Sequence, residues 1–327
     1  PLSKSESLGF EARLALADCC LRRGRVEEGI EHLKRAVEVC PDRAEAYCEL
    51  GEAFRKIGRE ELAASAMRKA LKLDPEQDKA YHGLAQHFAD NERLGEAEKA
   101  LRRALRLNGQ DLSHHLALVS CLMQQGKLHA ARKRLKTAIR EFPESVMPRE
   151  MLAEVLQSMG DFESVIREAG VLLQLDSRNP QAYEFLATAH FHMGRLEEAR
   201  AAIDALIRLD PMDGLSRLKR ALLLQQCGNL QGAMKEYEQV VMMLPEGVYG
   251  RTAREAVEAL DNSQIQQILL RLSEDNRFRS SLLSDMEATI HACGYRLSEE
   301  GLESLRDMNL EEIERGDDAE PPRITYH

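Results

Sequence analysis

Among the residues of this 327-residue chain that could do chemistry, the histidines come first. His114 and His115 are adjacent, and His190 and His192 are one residue apart. Two imidazoles on one helix converge on a metal or a proton when they sit four residues apart. Neither pair has that spacing, so no metal site is expected, and His190 reads as a packing residue. The carboxylate pair Glu60–Glu61 opens a helical run, where negative charge complements the helix dipole. The seven cysteines (Cys19, Cys20, Cys40, Cys48, Cys121, Cys227 and Cys293) are odd in number and contain no C-x-x-C pair. They read as reduced thiols filling helix interfaces. No nucleophile elbow, phosphate-binding glycine loop or His-Glu-x-x-His pattern occurs. The expectation is a non-catalytic protein with no cofactor and no metal.

Bulk composition narrows the class further. The formal net charge is -10. Residues 1–261 hold 38 basic against 41 acidic side chains, and residues 262–327 hold 7 against 14. A basic field is missing, which argues against nucleic-acid partners. No stretch approaches the roughly 20 apolar residues of a membrane span, and the chain opens at Pro1 without a charged-then-apolar signal segment. No membrane partner and a cytoplasmic location are the expectations. Charged residues are 31% of the chain and aromatics 5%, and Ala, Leu, Glu, Arg and Lys, all good helix formers, dominate.

The elements that must position these residues repeat at a fixed interval. Pro41, Pro75, Pro143, Pro211 and Pro245 fall on one ladder of 34 residues, with Gly109 and Ser177 on the missing rungs. A second ladder carries Gly24, Gly58, Gly126, Gly160, Gly194 and Gly228, with Glu92 as its exception. Between these turns the apolar residues follow helical spacing. Each unit is therefore two helices of about 13 residues joined by a glycine turn. Small residues at Ala63, Ala97, Ala131, Ala199 and Ala233, and at Ala17, Gly51, Ala85, Ala153, Ala187 and Ala221, let the pairs approach closely. A single pair cannot bury its apolar stripe, so the units must stack.

The second unit reads Tyr47, Leu50, Gly51, Phe54, Ala63, Met67, Ala70 and Pro75 in its key slots. In this pattern the chain resembles the tetratricopeptide repeat (TPR), over about residues 10–247 as seven units. The resemblance implies an all-α, right-handed superhelical solenoid. Departures are Asp18 and Cys20 in unit one, Val165 at the Ala slot of unit five and Arg220 at the Leu slot of unit seven. Units five and seven are expected to pack irregularly.

The resemblance also implies a concave groove lined by the first helix of each pair, which receives a peptide or helical segment. The candidate groove residues are Arg55, His82, Gln86, Leu116, Ser120, Met123, Met147, Glu150, Met151, Glu154, Glu184, Phe185, Thr188 and His192. By the same phase Phe191, Lys219 and Leu222 face it. Relatives that grip a chaperone's C-terminal carboxylate carry Lys and Asn at neighbouring slots. Here those slots hold Leu14 and Asp18, Cys48 and Glu52, His82 and Gln86, so that clamp is missing. Methionine, phenylalanine and glutamate in the middle of the groove favour a ligand that is partly apolar and partly basic. A regulatory module of a larger enzyme, or a self-associating scaffold forming a homodimer, are the alternatives.

Past Pro245 the repeat fades. Residues 248–261 are expected to be one amphipathic capping helix, with a new start at the Asp-Asn-Ser of 261–263. Residues 262–313 are expected to form a small helical domain, and 314–327 an acidic, disordered tail. Phe278-Arg279, Leu282-Leu283, Asp285, Gly294-Tyr295, Leu297-Ser298, and Glu300 with Leu302 and Leu305 resemble two small helical domains. One occurs in leader regions of ribosomally made peptide precursors, the other in the small subunit of extradiol dioxygenases. That implies a docking element.

Overall fold

The computed structural model describes residues 4–308. Residues 309–313 of the expected C-terminal domain and the tail 314–327 lie outside the described residues. Among those described there are eighteen α-helices and no strand. The first fourteen form seven pairs. They are α1 (Lys4–Arg22) with α2 (Val26–Val39), α3 (Ala44–Lys56) with α4 (Glu60–Leu73), and α5 (Asp78–Asp90) with α6 (Leu94–Leu107). Next come α7 (Leu112–Gln124) with α8 (Leu128–Glu141) and α9 (Met147–Ser158) with α10 (Phe162–Leu175). The last are α11 (Pro180–His192) with α12 (Leu196–Leu209) and α13 (Gly214–Gln226) with α14 (Leu230–Met243).

The glycine ladder explains why each first helix stops where it does. Gly58 has φ +69°, a left-handed value that costs other L-residues roughly 1–2 kcal/mol. With it the chain closes a Schellman turn, Arg59 N–H donating to the Phe54 carbonyl at 2.9 Å and Gly58 N–H to that of Arg55 at 2.9 Å. Glu92 occupies the same conformation at φ +59° without being glycine.

The chain divides into two compact units, residues 1–168 and 169–327, with the division falling within α10. In the first unit α2 packs on α3, α4 on α5, α6 on α7 and α8 on α9, and α5 also touches α3 and α7. In the second α12 packs on α13 and α14 on α15. The second-helix alanines (Ala63, Ala97, Ala131, Ala199, Ala233) are all buried. Val165 in the same slot is fully buried too, so the larger side chain is accommodated there. Arg220, in place of leucine, reaches Asp204 at 2.9 Å and also pairs with Glu236, whose other oxygen lies 3.3 Å from Arg217. The slot is thus filled by an ionic cluster instead of an apolar contact.

One expectation fails at the C-terminal end. No helix starts at 261–263; α15 runs unbroken from Val248 to Glu274. Its first half packs Ala253, Val257 and Leu260 against Tyr237 and Val240 of α14. Its second half packs Ile265, Ile268 and Leu272 with residues of α16 (Asn276–Ser284), α17 (Met286–Ala292) and α18 (Glu299–Asp307). Asp261, a good helix starter in isolation, is instead fully buried. Its carboxylate accepts from the Ser298 backbone N–H at 2.9 Å and from the Ser298 hydroxyl. A tertiary partner has taken over the role that a local cap would have played.

Candidate binding surface

The first helices carry the residues expected to line a groove. In the first unit Arg55 is partly exposed and donates to Glu52 at 2.9 Å. Ser120, Met147 and Glu154 are exposed, and Leu116, Met123, Glu150 and Met151 are partly buried. Part of the carboxylate inventory is already paired between neighbouring first helices or along one helix. Lys79 on α5 meets Glu49 on α3 at 3.2 Å, and in the second unit Lys219 on α13 meets Glu184 on α11 at 3.3 Å.

His82 and Gln86 are brought together, and the structure adds partners that their spacing did not reveal. The Nδ1 atoms of His82 and His114 lie 2.9 Å apart, and Gln86 Nε2 is 3.2 Å from His82 Nε2. His114 Nε2 lies 3.0 Å from Asp78 Oδ2, which also accepts from Asn108 at 2.9 Å. The chain of contacts joins α5 to α7 through a ring, His114, that is 1% exposed. Burial and the neighbouring His114 push the His82 imidazole below its usual range. Burial works to raise Asp78, but hydrogen bonds from His114 and Asn108 outweigh it and hold the carboxyl low. His115 points elsewhere, its Nε2 being 3.0 Å from the Gly109 carbonyl.

In the second unit the expected residues separate. Phe185 is only 5% exposed and belongs to the core of α11, so its aromatic ring is not offered to a ligand. His192 is exposed. Thr188 lines a cavity of about 280 Å³ between α11 and α13, together with Phe191, Lys219, Leu222 and Gln226 over a floor that includes Ile203 and Leu223. Phe191 and Leu222 are 40% and 53% exposed at its rim. The space is small beside the roughly 300–1,000 Å³ of small-molecule sites and suits an inserted apolar side chain. Sequence phase alone placed Phe185 and Phe191 on the same surface. Six residues turn about 120° around a helix, and the packing of α11 buries the side with Phe185 while Phe191 stays at the rim.

Among the described residues no helix is long and apolar enough to cross a membrane. The family model for the cilia and flagella-associated protein 70 C-terminal domain matches residues 2–170. A tetratricopeptide-repeat model matches residues 150–214 and again 186–246. No curated protein matches the chain. Solved structures share the fold. The C-terminal part of a TPR repeat-containing protein from Cytophaga hutchinsonii aligns at TM-score 0.61 with 11% identity, over 73% of this chain and 98% of that one. A tetratricopeptide repeat protein from Parabacteroides merdae aligns at 0.54 with 17% identity, over 76% and 97%. With the 34-residue pairs, the buried alanines and a match over more than half its length, the chain belongs to the tetratricopeptide-repeat proteins, within the family of the cilia and flagella-associated protein 70 C-terminal domain.

Proposed function

We propose that this protein is a non-catalytic scaffold that holds another polypeptide against the first helices of its repeats. The observation that carries the reading is the apolar cavity between α11 and α13, rimmed by the exposed Phe191 and Leu222. Large apolar side chains left in water around a concavity mark an interaction site more often than an idle surface. An apolar anchor of the ligand fills this cavity. Within the first unit, exposed Glu154 and Met147 favour basic and apolar side chains on a polypeptide bound there. The helices α16–α18, mounted on α15, serve as a second docking element.

The matching family is named for a protein of cilia and flagella, so an extract of cilia is the source in which to seek the ligand. The intact chain and its Phe191→Ala and Leu222→Ala variants are immobilised and exposed to that extract. A polypeptide retained by the parent and lost from both variants, at unchanged melting temperature, supports the reading. Retention by both variants at parental levels overturns it.

A further inference from the structure

We propose that Asp78, Asp111 and His114 form a binding site for a borderline divalent cation of the zinc class, which ties α5 to α7. The three donors come from the starts of two first helices. Asp78 is the first residue of α5, Asp111 is the N-cap of α7, and His114 lies one turn into α7. Their ligand atoms all lie within 4.8 Å of one another. His114 Nε2 is 3.0 Å from Asp78 Oδ2 and 3.9 Å from Asp111 Oδ2. A tetrahedral zinc ion with N and O donors needs separations of about 3.4 Å, so each of these two contacts changes by about half an ångström when the site closes, and the two carboxylates, at most 4.8 Å apart, draw together around the ion. Asp111 caps its helix through Oδ1, which accepts from Ser113 at 2.8 Å, and this leaves Oδ2 for the ion. Among the described residues no lysine or arginine forms an ion pair with either carboxylate. Both are partly open to solvent, at 21% and 36%, which gives an ion a way in.

The surrounding hydrogen bonds can serve either state. Without an ion, His114 Nε2–H donates to Asp78, and His82 Nδ1–H donates to His114 Nδ1. Gln86 then donates from Nε2 to His82 and leaves its Oε1 buried without a partner. When the ion binds, His114 Nε2 must present its lone pair. The proton between the two rings passes from His82 Nδ1 to His114 Nδ1, His82 takes a proton at Nε2, and the Nε2 proton of His114 leaves. The count of protons on the two rings is unchanged. A half-turn of the Gln86 amide then brings the orphaned Oε1 to accept from His82. One imidazole and two carboxylates suit zinc better than magnesium or calcium, which prefer all-oxygen shells. An imidazole ligand whose other nitrogen is held by a fixed partner is the arrangement metal sites use to orient it.

The test uses the full chain with its exposed thiols Cys19 and Cys227 replaced by serine, titrated calorimetrically with Zn²⁺. One ion binds per chain, and magnesium and calcium produce no saturable heat. Asp111→Ser keeps a helix cap while removing the ligand, and Asp78→Asn keeps the shape of the side chain. Each weakens zinc at least ~10-fold, and His82→Ala weakens it about 10- to 100-fold. Nitrogen-detected NMR shows His114 passing from the Nε2–H to the Nδ1–H tautomer on saturation, a readout that also decides if a variant fails to fold. The absence of binding, an affinity untouched by both aspartate variants, or a His114 ring indifferent to zinc each overturns the proposal, leaving a neutral hydrogen-bond chain.

Discussion

The Asp261 carboxylate, midway along α15, receives both the backbone N–H and the hydroxyl of Ser298, the residue that caps α18. One turn later Gln264 brackets Arg296, donating to its carbonyl at 2.7 Å and accepting from its N–H at 2.7 Å. Gly301 lies so close that a Cβ there would stand 2.5 Å from the Asp261 carboxyl carbon. The segment before α18 is thus pinned to α15 by two side chains three residues apart on one helical face.

Asp261→Ala removes the acceptor and leaves the buried Ser298 N–H unpaired, a loss of about 1–3 kcal/mol that denaturant unfolding will measure. Burial pushes the Asp261 carboxyl above its ordinary value, although the Ser298 bonds oppose this. The sign follows directly. Below the unfolded value the acid is neutral in both states. As pH rises, the unfolded chain ionises first, so this group's contribution to stability falls until its raised folded value is passed. Asp261→Asn does not titrate. Its stability relative to the parent therefore increases from pH 3 to pH 7, and a constant or shrinking difference contradicts the assignment.

Glu92 is the rung of the glycine ladder that is not glycine, and it still holds φ +59°. Glu92→Gly relieves that conformation while freeing the unfolded chain, for a net gain of up to about 1 kcal/mol. Gly58→Ala, at φ +69° with open space around its Cβ position, loses about 1 kcal/mol for the same reason. Thermal melts of the two variants should move in opposite directions.

The Glu236 side chain, 7% exposed, answers both Arg217 and Arg220. Glu236→Ala takes one carboxylate from two mostly buried guanidinium groups, leaving Arg220 with Asp204 and Arg217 with Gln239, and costs about 1–3 kcal/mol. Arg220→Leu restores the residue type usual in this slot, and joined with Glu236→Leu it recovers much of that loss. Chemical denaturation of the single and double variants gives the coupling. Additive losses would show that the cluster does not act as a unit.

Phe185 and Phe191 lie six residues apart on α11 with opposite duties. Phe185→Ala empties a core position and costs about 3–5 kcal/mol. Phe191→Ala, at the rim of the cavity, changes stability by less than about 1 kcal/mol. Equal losses in calorimetry would mean that Phe191 is core as well.

Within the repeats the amino-acid order by itself determined where the helices begin and end and that they come in pairs. Glycine at a left-handed turn, proline after a helix and alanine at a close crossing are local demands that recur every 34 residues, and local demands are written in local sequence. Which side chains meet was decided only when the pairs stacked. His82 and His114 are 32 residues apart, on helices whose relative offset sets whether their rings touch. Phe185 and Phe191 stand about 120° apart around α11, and only the packing of that helix decides which of the two sides is core. Asp261 has the chemistry of a helix start, yet α15 runs through it, because the Ser298 amide and hydroxyl satisfy its carboxylate better than a new N-terminus would. Contacts of this kind depend on the distance between elements, and no short window of residues carries that distance.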